Sequence, residues 1–371
     1  MTKLSLIKVL DDLSKVRDIL LSCKTRDEAI KSALDIVLKR LHPQTAAIFL
    51  FSKDGHLVRA GIKGTDLNDK PIDNNWFPQE SYKVGESFTG RVVLPATDDS
   101  RYGKPQWFDD LGNEHLNDKS KSEYLSKLGE IKFVIGVPLN SQNRTYGVLE
   151  VINKLNRNDQ GLTSFGTEEI YWLAAIGANL ATSISNLRRN SQIRMLTEIG
   201  NLLVETPVDK NSIFRSVCEE IANKLLNPNT SFKVCVIHGG VKPDPLRVLA
   251  KAKVEGVTWK GRKDGKREYG TGFVGRAADS GEHIIVKRIS EDIDKFYNQK
   301  WIKDNHLDSC ACLPLVAKGK VVGTISLFAG YNYTFHEDII NLLQSVASLI
   351  ASFALRAMAS EEVRKLEKHQ K

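Results

Sequence analysis

Two short stretches place glycine, phenylalanine and arginine in one spacing. Gly85-Glu86-Ser87-Phe88-Thr89-Gly90-Arg91 and Gly270-Thr271-Gly272-Phe273-Val274-Gly275-Arg276 both read Gly-x-x-Phe-x-Gly-Arg. This residue set suits anion capture. Glycines let backbone N–H groups approach a phosphate where a helix begins, and a guanidinium binds it bidentately. Each residue also has a plainer use. Phe88 and Phe273 can anchor a core, Gly85, Gly90, Gly270 and Gly275 can serve turns and close packing, and Arg91 and Arg276 can lie on an exposed helix surface.

Other side chains invite chemistry. Tyr124 in the first half, and Tyr297 or Trp301 in the second, can stack on a base or pack a covering loop onto the domain. Asp118 and Asp304 can accept from a base edge or stay solvated. His306, Cys310 and Cys312 read His-x-x-x-Cys-x-Cys, but a closed zinc site needs a fourth ligand. Both cysteines fall on one face of an expected strand, so they read as small buried residues and no metal is expected. The five cysteines are odd in number and scattered, which suits reduced thiols in a cytoplasmic protein. The chain has no Walker loop, no Gly-x-Ser-x-Gly, no His-Glu-x-x-His and no kinase signature. A binding module is expected and not an enzyme.

The elements that must hold these residues also occur twice. Apolar positions Leu6, Val9, Leu10, Leu13, Val16, Ile19 and Leu20 give an amphipathic helix with a narrow seam, the pattern of a two-helix contact. Thr25-Arg26-Asp27-Glu28 is a capping box opening a second helix that buries Ile30, Ala33, Leu34, Val37 and Leu41. Strands follow at 45–51 and 56–62 around Asp54-Gly55, a hairpin signal. The first motif leads into a short helix over 88–94. The polar stretch 95–130, with a helix expected over 121–128, is long enough to cover a site. Strands at 131–139 and 144–153 precede a helix from Phe165 that finds no firm break before Pro207, although its apolar phase slips near Asn190. Unbroken, it spans roughly 60 Å at ~1.5 Å per residue.

The second half repeats the order: a helix capped by Asp209, strands at 232–238 and 246–258, the second motif, a strand at 283–289, a helix within 290–306, strands at 310–316 and 321–328, and a last helix from near Phe335. Phe88 matches Phe273, Val137-Pro138-Leu139 matches Leu313-Pro314-Leu315, and Phe165 matches Phe335, in the same order with only loop lengths changed.

At 371 residues the chain suits two domains. Hydrophobic residues make up 41% and charged residues 26%, a globular composition. No apolar run reaches the ~20 residues of a membrane helix, and no secretory signal opens the chain. The formal net charge is +8. Seven Lys or Arg against three acids lie between Lys251 and Glu268, which reads as a solvated basic hairpin. No nucleic-acid motif accompanies it, so neither nucleic acid nor membrane is expected as a partner.

The order of elements resembles the GAF domain, a small-molecule sensing fold. Gly-x-x-Phe-x-Gly-Arg, a strand ending Val/Leu-Pro-Leu, then Gly147-Val148-Leu149 or Gly323-Thr324-Ile325, and a helix opened by Phe165-Gly-Thr-Glu168 or Phe335-His-Glu-Asp338 carry the likeness. It implies an α+β fold of two GAF-like domains, each a central antiparallel sheet of about six strands flanked by helices, joined by a long helix. The divisions are 1–24, an N-terminal dimerisation helix; 25–190, GAF domain A; 191–206, a connecting helix; 207–358, GAF domain B; and 359–371, a charged C-terminal helix. The first copy also resembles the cyclic-nucleotide-binding GAF domains of phosphodiesterases and cyanobacterial adenylyl cyclases. There Asn-Lys, Phe and Asp-Glu recur, and the Lys and an acid form a pocket-shaping salt bridge. Here the matching residues are Asn153, Lys154, Phe165 and Glu168-Glu169, with Glu for Asp and a spacer of two residues. The resemblance thus implies a regulatory module of a signalling protein. It would be a homodimer through long helices, taking cAMP or cGMP in domain A and passing closure to an output domain or partner protein. Two rival expectations are a ligand-free scaffold for dimerisation and a redox or haem sensor.

Overall fold

The computed structural model describes residues 3–52, 55–66, 68–72, 81–94, 104–109, 128–141, 144–155, 161–205, 210–225, 232–254, 256–258, 266–296, 298–330, 335 and 337–369. The chain divides into two compact units, Met1–Asn190 and Ser191–Lys371.

The first unit opens with helices α1 (Lys3–Ser22) and α2 (Arg26–Leu41). The capping box forms in a close variant. Thr25 Oγ1 accepts from Glu28 N at 3.2 Å, while the Glu28 carboxylate accepts from Lys24 N. His42, at φ +50°, ends α2 and returns its N–H to Leu38 O. Strands β1 (Pro43–Phe51), β2 (Leu57–Thr65), β3 (Pro71–Ile72) and β4 (Ser81–Tyr82) precede the short helix α3 (Ser87–Val92). Then come β5 (Gln106–Asp109), β6 (Phe133–Ser141), β7 (Arg144–Leu155) and β8 (Leu162–Thr163). The sheet order is β3-β2-β1-β7-β6-β5, with β4 also on β2 and β8 on β7, every pair antiparallel. The helix expected over 121–128 lies outside the described residues apart from Leu128.

Alternation along the strands makes two cores. Ala46, Ile48 and Leu50 of β1 and Leu149 and Val151 of β7 face α1, α2 and the long helix α4 (Thr167–Glu205). Ala47 and Phe49 of β1 and Val148 and Ile152 of β7 face the opposite way, toward Phe88 and Val92 of α3. Val16 and Leu20, from the narrow seam of α1, are packed into the first of these cores, where Ser183 Oγ donates to Leu20 O at 2.6 Å.

Helix α4 is unbroken for 39 residues. The slip in apolar phase near Asn190 falls where the units divide. Leu173, Ile176 and Leu180 belong to the first core, and Met195, Ile199 and Leu203 to a core of the second unit.

The second unit continues with α5 (Lys210–Leu225), β9 (Phe232–Gly239), β10 (Leu246–Lys253), β11 (Lys266–Arg267), α6 (Gly272–Ser280) and β12 (Ile284–Val286). After it come α7 (Gln299–Asp304), β13 (Leu307–Ala317), β14 (Lys320–Gly330) and α8 (Glu337–His369). The sheet order β11-β10-β9-β14-β13-β12 repeats the first. The strand expected to Thr258 stops at Lys253, and the strand expected over 283–289 keeps only three residues. Two 3-10 turns, Ile289–Glu291 and Ile293–Lys295, fill the space before α7. The Asp209 cap lies outside the described residues. By length and composition Ile339–Ser360 of α8 would pass for a membrane span, at mean hydropathy 1.5. Its Leu343, Val346, Ile350 and Ala351 are packed in the core against the sheet.

Candidate functional site

The two Gly-x-x-Phe-x-Gly-Arg stretches build one turn twice. Gly85 N–H donates to Gly90 O at 2.9 Å, and Gly270 N–H donates to Gly275 O at 2.9 Å. Gly85 (φ +83°) and Gly270 (φ +75°) need the left-handed region. Gly90 and Gly275 are needed for another reason, since a Cβ there would run into the carbonyl oxygens of Lys83 and Glu268. The arginines close the turn: Arg91 Nε donates to Ser87 O at 3.0 Å, and Arg276 Nε donates to Gly272 O at 3.2 Å. Both carbonyls belong to residues with positive φ, Ser87 at +58° and Gly272 at +62°. Among the residues expected to meet ligand, Gly90, Gly275, Arg91 and Arg276 therefore have structural duties within the turn.

In the first unit the turn presents α3 to the sheet. Phe88 is 4% exposed and lies over Gly136 of β6. A Cβ on Gly136 would come within 2.6 Å of Val92 Cγ2 and 2.9 Å of Phe88 Cε1. Beside it is a residue that sequence reading missed. Glu150 sits on the α3 face of β7 between Val148 and Ile152 and is 7% exposed. Its cross-strand neighbours are Ala47 and Gly136, and the space over Gly136 is taken by Phe88 and Val92. Thr89 Oγ1 donates to Glu150 Oε2 at 2.7 Å. Glu150 is an acceptor when ionised, so the sheet face carries a buried group that recognises donors. A charged residue inside the apolar run Val148-Leu149-Glu150-Val151-Ile152 was the signal that could have found it.

Asn153 and Lys154 follow at the end of the same strand. Asn153 is fully buried with φ +49°. Its Oδ1 accepts from Lys132 N (2.9 Å) and Phe133 N (3.1 Å). Its Nδ2 donates to Gln44 Oε1 and Glu130 O, both at 2.8 Å. Gln44 Nε2 in turn donates to Leu128 O at 2.9 Å. These bonds fasten segment 128–133, the exit from the expected covering segment, to β1 and β7. Lys154 Nζ lies 2.8 Å from Glu169 Oε1, with both side chains about one-quarter exposed. Glu169 also accepts from Gly166 N at 2.9 Å and so caps the start of α4. Of the two acids the resemblance left open, Glu169 pairs with Lys154, and Glu168 is exposed. Tyr124, Asp118 and most of 95–130 lie outside the described residues.

The corresponding face of the second unit is filled with aromatic rings. Phe273 and Phe296 have centroids 5.6 Å apart, Phe273 and Phe328 5.9 Å, and Trp301 and Phe328 5.6 Å. Trp301, expected to stack on a ligand, is 7% exposed and donates Nε1–H to Thr258 O at 2.5 Å. Asn305 completes the tie: Thr258 N donates to its Oδ1 at 2.8 Å, and its Nδ2 donates to Trp301 O at 2.7 Å. Tyr297 lies outside the described residues. At the register of Glu150 this unit has Ser326, flanked by Val236 and Cys312. No acid stands there, and Ala329-Gly330 replaces Asn-Lys.

Burial favours the neutral form of three side chains on this face. Burial pushes the Cys310 thiol up and the Cys312 thiol up to about 12. Burial, with the nearby Arg267 charge, lowers His238 to about 3. On the opposite face of the sheet Cys218 and Cys235 lie with sulfurs 3.6 Å apart, both fully buried. His306, Cys310 and Cys312 form no metal-binding group among the described residues. An open groove of about 970 Å³ lies elsewhere, between α2 and β2, lined in part by Ile30, Leu34, Val58 and Lys63; none of the glycine-motif residues borders it.

Comparison with known proteins agrees with this architecture. The GAF domain family model matches residues 25–184 and 210–352. A search of curated proteins gives no match. Among solved structures, the nlh2 GAF domain of A. aeolicus is similar at 15% identity and a TM-score of 0.35, covering 44% of this chain and 96% of its own. The GAF domain of a phosphoenolpyruvate-protein phosphotransferase from Coxiella burnetii is similar at 16% identity and a TM-score of 0.37, covering 50% and 96%. A free methionine-R-sulfoxide reductase from Neisseria meningitidis, in complex with its substrate, is similar at 13% identity and a TM-score of 0.37, covering 46% and 91%. This last likeness corrects the expectation of a non-enzymatic chain: the fold is also that of a reductase, so carrying it does not mark a chain as non-catalytic. With both units matched across their sheets and covering helices, the chain belongs to the GAF domain family and carries two copies of its sensory, regulatory fold.

Proposed function

We propose that the first unit senses a small molecule, a cyclic nucleotide (cAMP or cGMP), held at the α3 face of its sheet. The observation that carries this reading is the ion pair of Lys154 with Glu169 beside the buried Asn153, at the end of the strand that also holds Glu150. The pair would set the strand end and the start of α4 without touching ligand. Glu150 would accept from a ligand hydroxyl or N–H. Ordering of 128–133 through Asn153 would then reach β7 and α4. The chain would act as a cytoplasmic homodimer through its long helices and pass the bias to an output domain or partner. A ligand shifts such an equilibrium only by its differential affinity for the two states.

For the second unit a ligand-free structural role is the better reading, because Phe273, Phe296, Phe328 and Trp301 fill its sheet face. Calorimetry with cAMP and cGMP on the whole chain tests both readings. One site per chain is expected, with Lys154→Ala weakening it at least about tenfold, or ~1.4 kcal/mol. Failure of both nucleotides to bind would sink the sensor reading. Two sites per chain would sink the assignment of a structural role to the second unit.

A further inference from the structure

Helix α4 has one stretch that neither core claims. Leu187 packs against the first core and Met195 is buried in a core of the second unit. Between them, no residue from Arg188 to Arg194 is buried. About two turns of helix thus lack a buried side chain, and a helix of that length is marginal without packing. A segment with so little burial opens locally at low cost.

The stretch reads Arg188-Arg189-Asn190-Ser191-Gln192-Ile193-Arg194. Ser191 stands four residues from both Leu187 and Met195, in line with them on the helix, where the apolar stripe calls for another core residue. It is exposed instead. Arg188 and Arg194, three residues before and after it, are its neighbours on the same surface. Ile193, 53% exposed, points about 160° away around the axis, so a second copy seated on that side leaves the serine open.

We infer that Ser191 is a phosphate acceptor for an arginine-directed serine kinase. Such a kinase reads guanidinium groups ahead of the hydroxyl with its own carboxylates, through charge-assisted hydrogen bonds. Arg188 and Arg189 supply those groups three and two residues before Ser191 once the stretch opens. ATP is the donor. The bond from its γ-phosphorus to the bridging oxygen breaks, and a bond from Ser191 Oγ to that phosphorus forms. The hydroxyl proton passes to a carboxylate of the kinase, and ADP leaves. The product places about two negative charges among three arginines, at the first residue of the second unit. This input is separate from any ligand of the first unit and does not depend on nucleotide binding there.

The folded full chain, treated with the catalytic subunit of a cyclic-AMP-dependent kinase and magnesium ATP and then mapped by peptide mass, tests the inference. One phosphate on Ser191 is expected, absent in Ser191→Ala. Arg188→Ala with Arg189→Ala should slow its addition at least about tenfold. Phosphate on Ser191 only after urea unfolding would overturn the inference, as would equal rates with and without the two arginines. Hydrogen exchange gives a readout without the kinase. Amides of residues 189–194 should exchange at least about tenfold faster than those around Ile176, and equal protection would overturn the inference too.

Discussion

Thr89 and Glu150 join the short helix α3 to the middle of strand β7, hydroxyl to carboxylate, at 2.7 Å. The residues are 61 apart in sequence and both are buried. The bond fixes the height of α3 over the sheet and orients the carboxylate. Thr89→Val keeps the shape and removes the donor from a buried acceptor, so a loss of about 1–3 kcal/mol is expected. Glu150→Gln keeps an acceptor and should cost less. Urea unfolding of both single variants and the double variant measures the coupling. Additive effects would show that the charged carboxylate holds Thr89 no better than an amide does.

Asn153 combines a left-handed backbone with four side-chain bonds, and substitution can separate the two. Asn153→Ala loses the bonds and suffers the strain, for an expected loss of about 3 kcal/mol. Asn153→Gly loses the bonds but accepts the φ, so about 1 kcal/mol should be recovered. Hydrogen exchange at Lys132 and Phe133, whose amides Asn153 accepts, should speed up in both variants. Unchanged exchange would show that the side chain does not hold that segment.

Gly136 is where Phe88 and Val92 come closest to the sheet. Gly136→Ala should push α3 outward and cost about 1–3 kcal/mol, as overpacking does. Gly136→Ala combined with Phe88→Leu should recover part of the loss. A melting temperature equal to wild type in the single variant would mean that the side chains above give way freely.

His238 makes an acid-labile contribution in the second unit. Its folded pKa is depressed from 6.5 to about 3 by burial and by Arg267, so the fold requires the neutral ring. The stability it permits is fully present above the unfolded value of 6.5. It is lost as pH falls toward 3, at up to about 1.4 kcal/mol per pH unit. Below the folded pKa no further loss arises from this group. His238→Gln should flatten the wild-type slope between these limits in chemical denaturation curves. Parallel slopes would contradict the burial assigned to the ring.

The five cysteines are all buried thiols. Native protein should show no thiol reacting with an aromatic disulfide reagent at the free-cysteine rate, and all five should react after denaturation. A fast native thiol would show that one of these packed regions opens readily.

Much of the fold was legible because it is written twice. Strand alternation and the three-four spacing of helices survive changes in loop length, so the order of elements could be aligned within the chain itself. The signature pair was legible only to a choice. Lys154 takes Glu169 and not Glu168 because Glu169 also caps the start of α4, and side-chain reach at a helix N-terminus is not written in spacing. Trp301 shows the opposite difficulty. An aromatic side chain in a covering segment looks the same in sequence whether it meets a ligand or its own core, and here Thr258 and Phe328 take it inward. Arg91 reads in sequence as an anion binder or a helix-surface residue, and its Nε bond to Ser87 O is a further duty that spacing does not reveal. The strained φ of Ser87 leaves no composition signal of its own and emerges only beside Gly272. Glu150 was the avoidable omission, since an acid in the centre of a buried strand is a local contradiction that asks for a reason.

The closed face of the second unit also supplies an optical channel. Trp301 sits in a dry environment of phenylalanine rings with its indole N–H committed to Thr258 O, so its emission is expected to be blue-shifted. Trp107 of the first unit is 52% exposed and should emit to the red. Subtracting the spectrum of a Trp301→Phe variant isolates Trp301 from the other tryptophans, the buried Trp172 included. Any event that loosens α7 from Thr258 would then shift its colour, and the protein would report the state of its second unit without an added label.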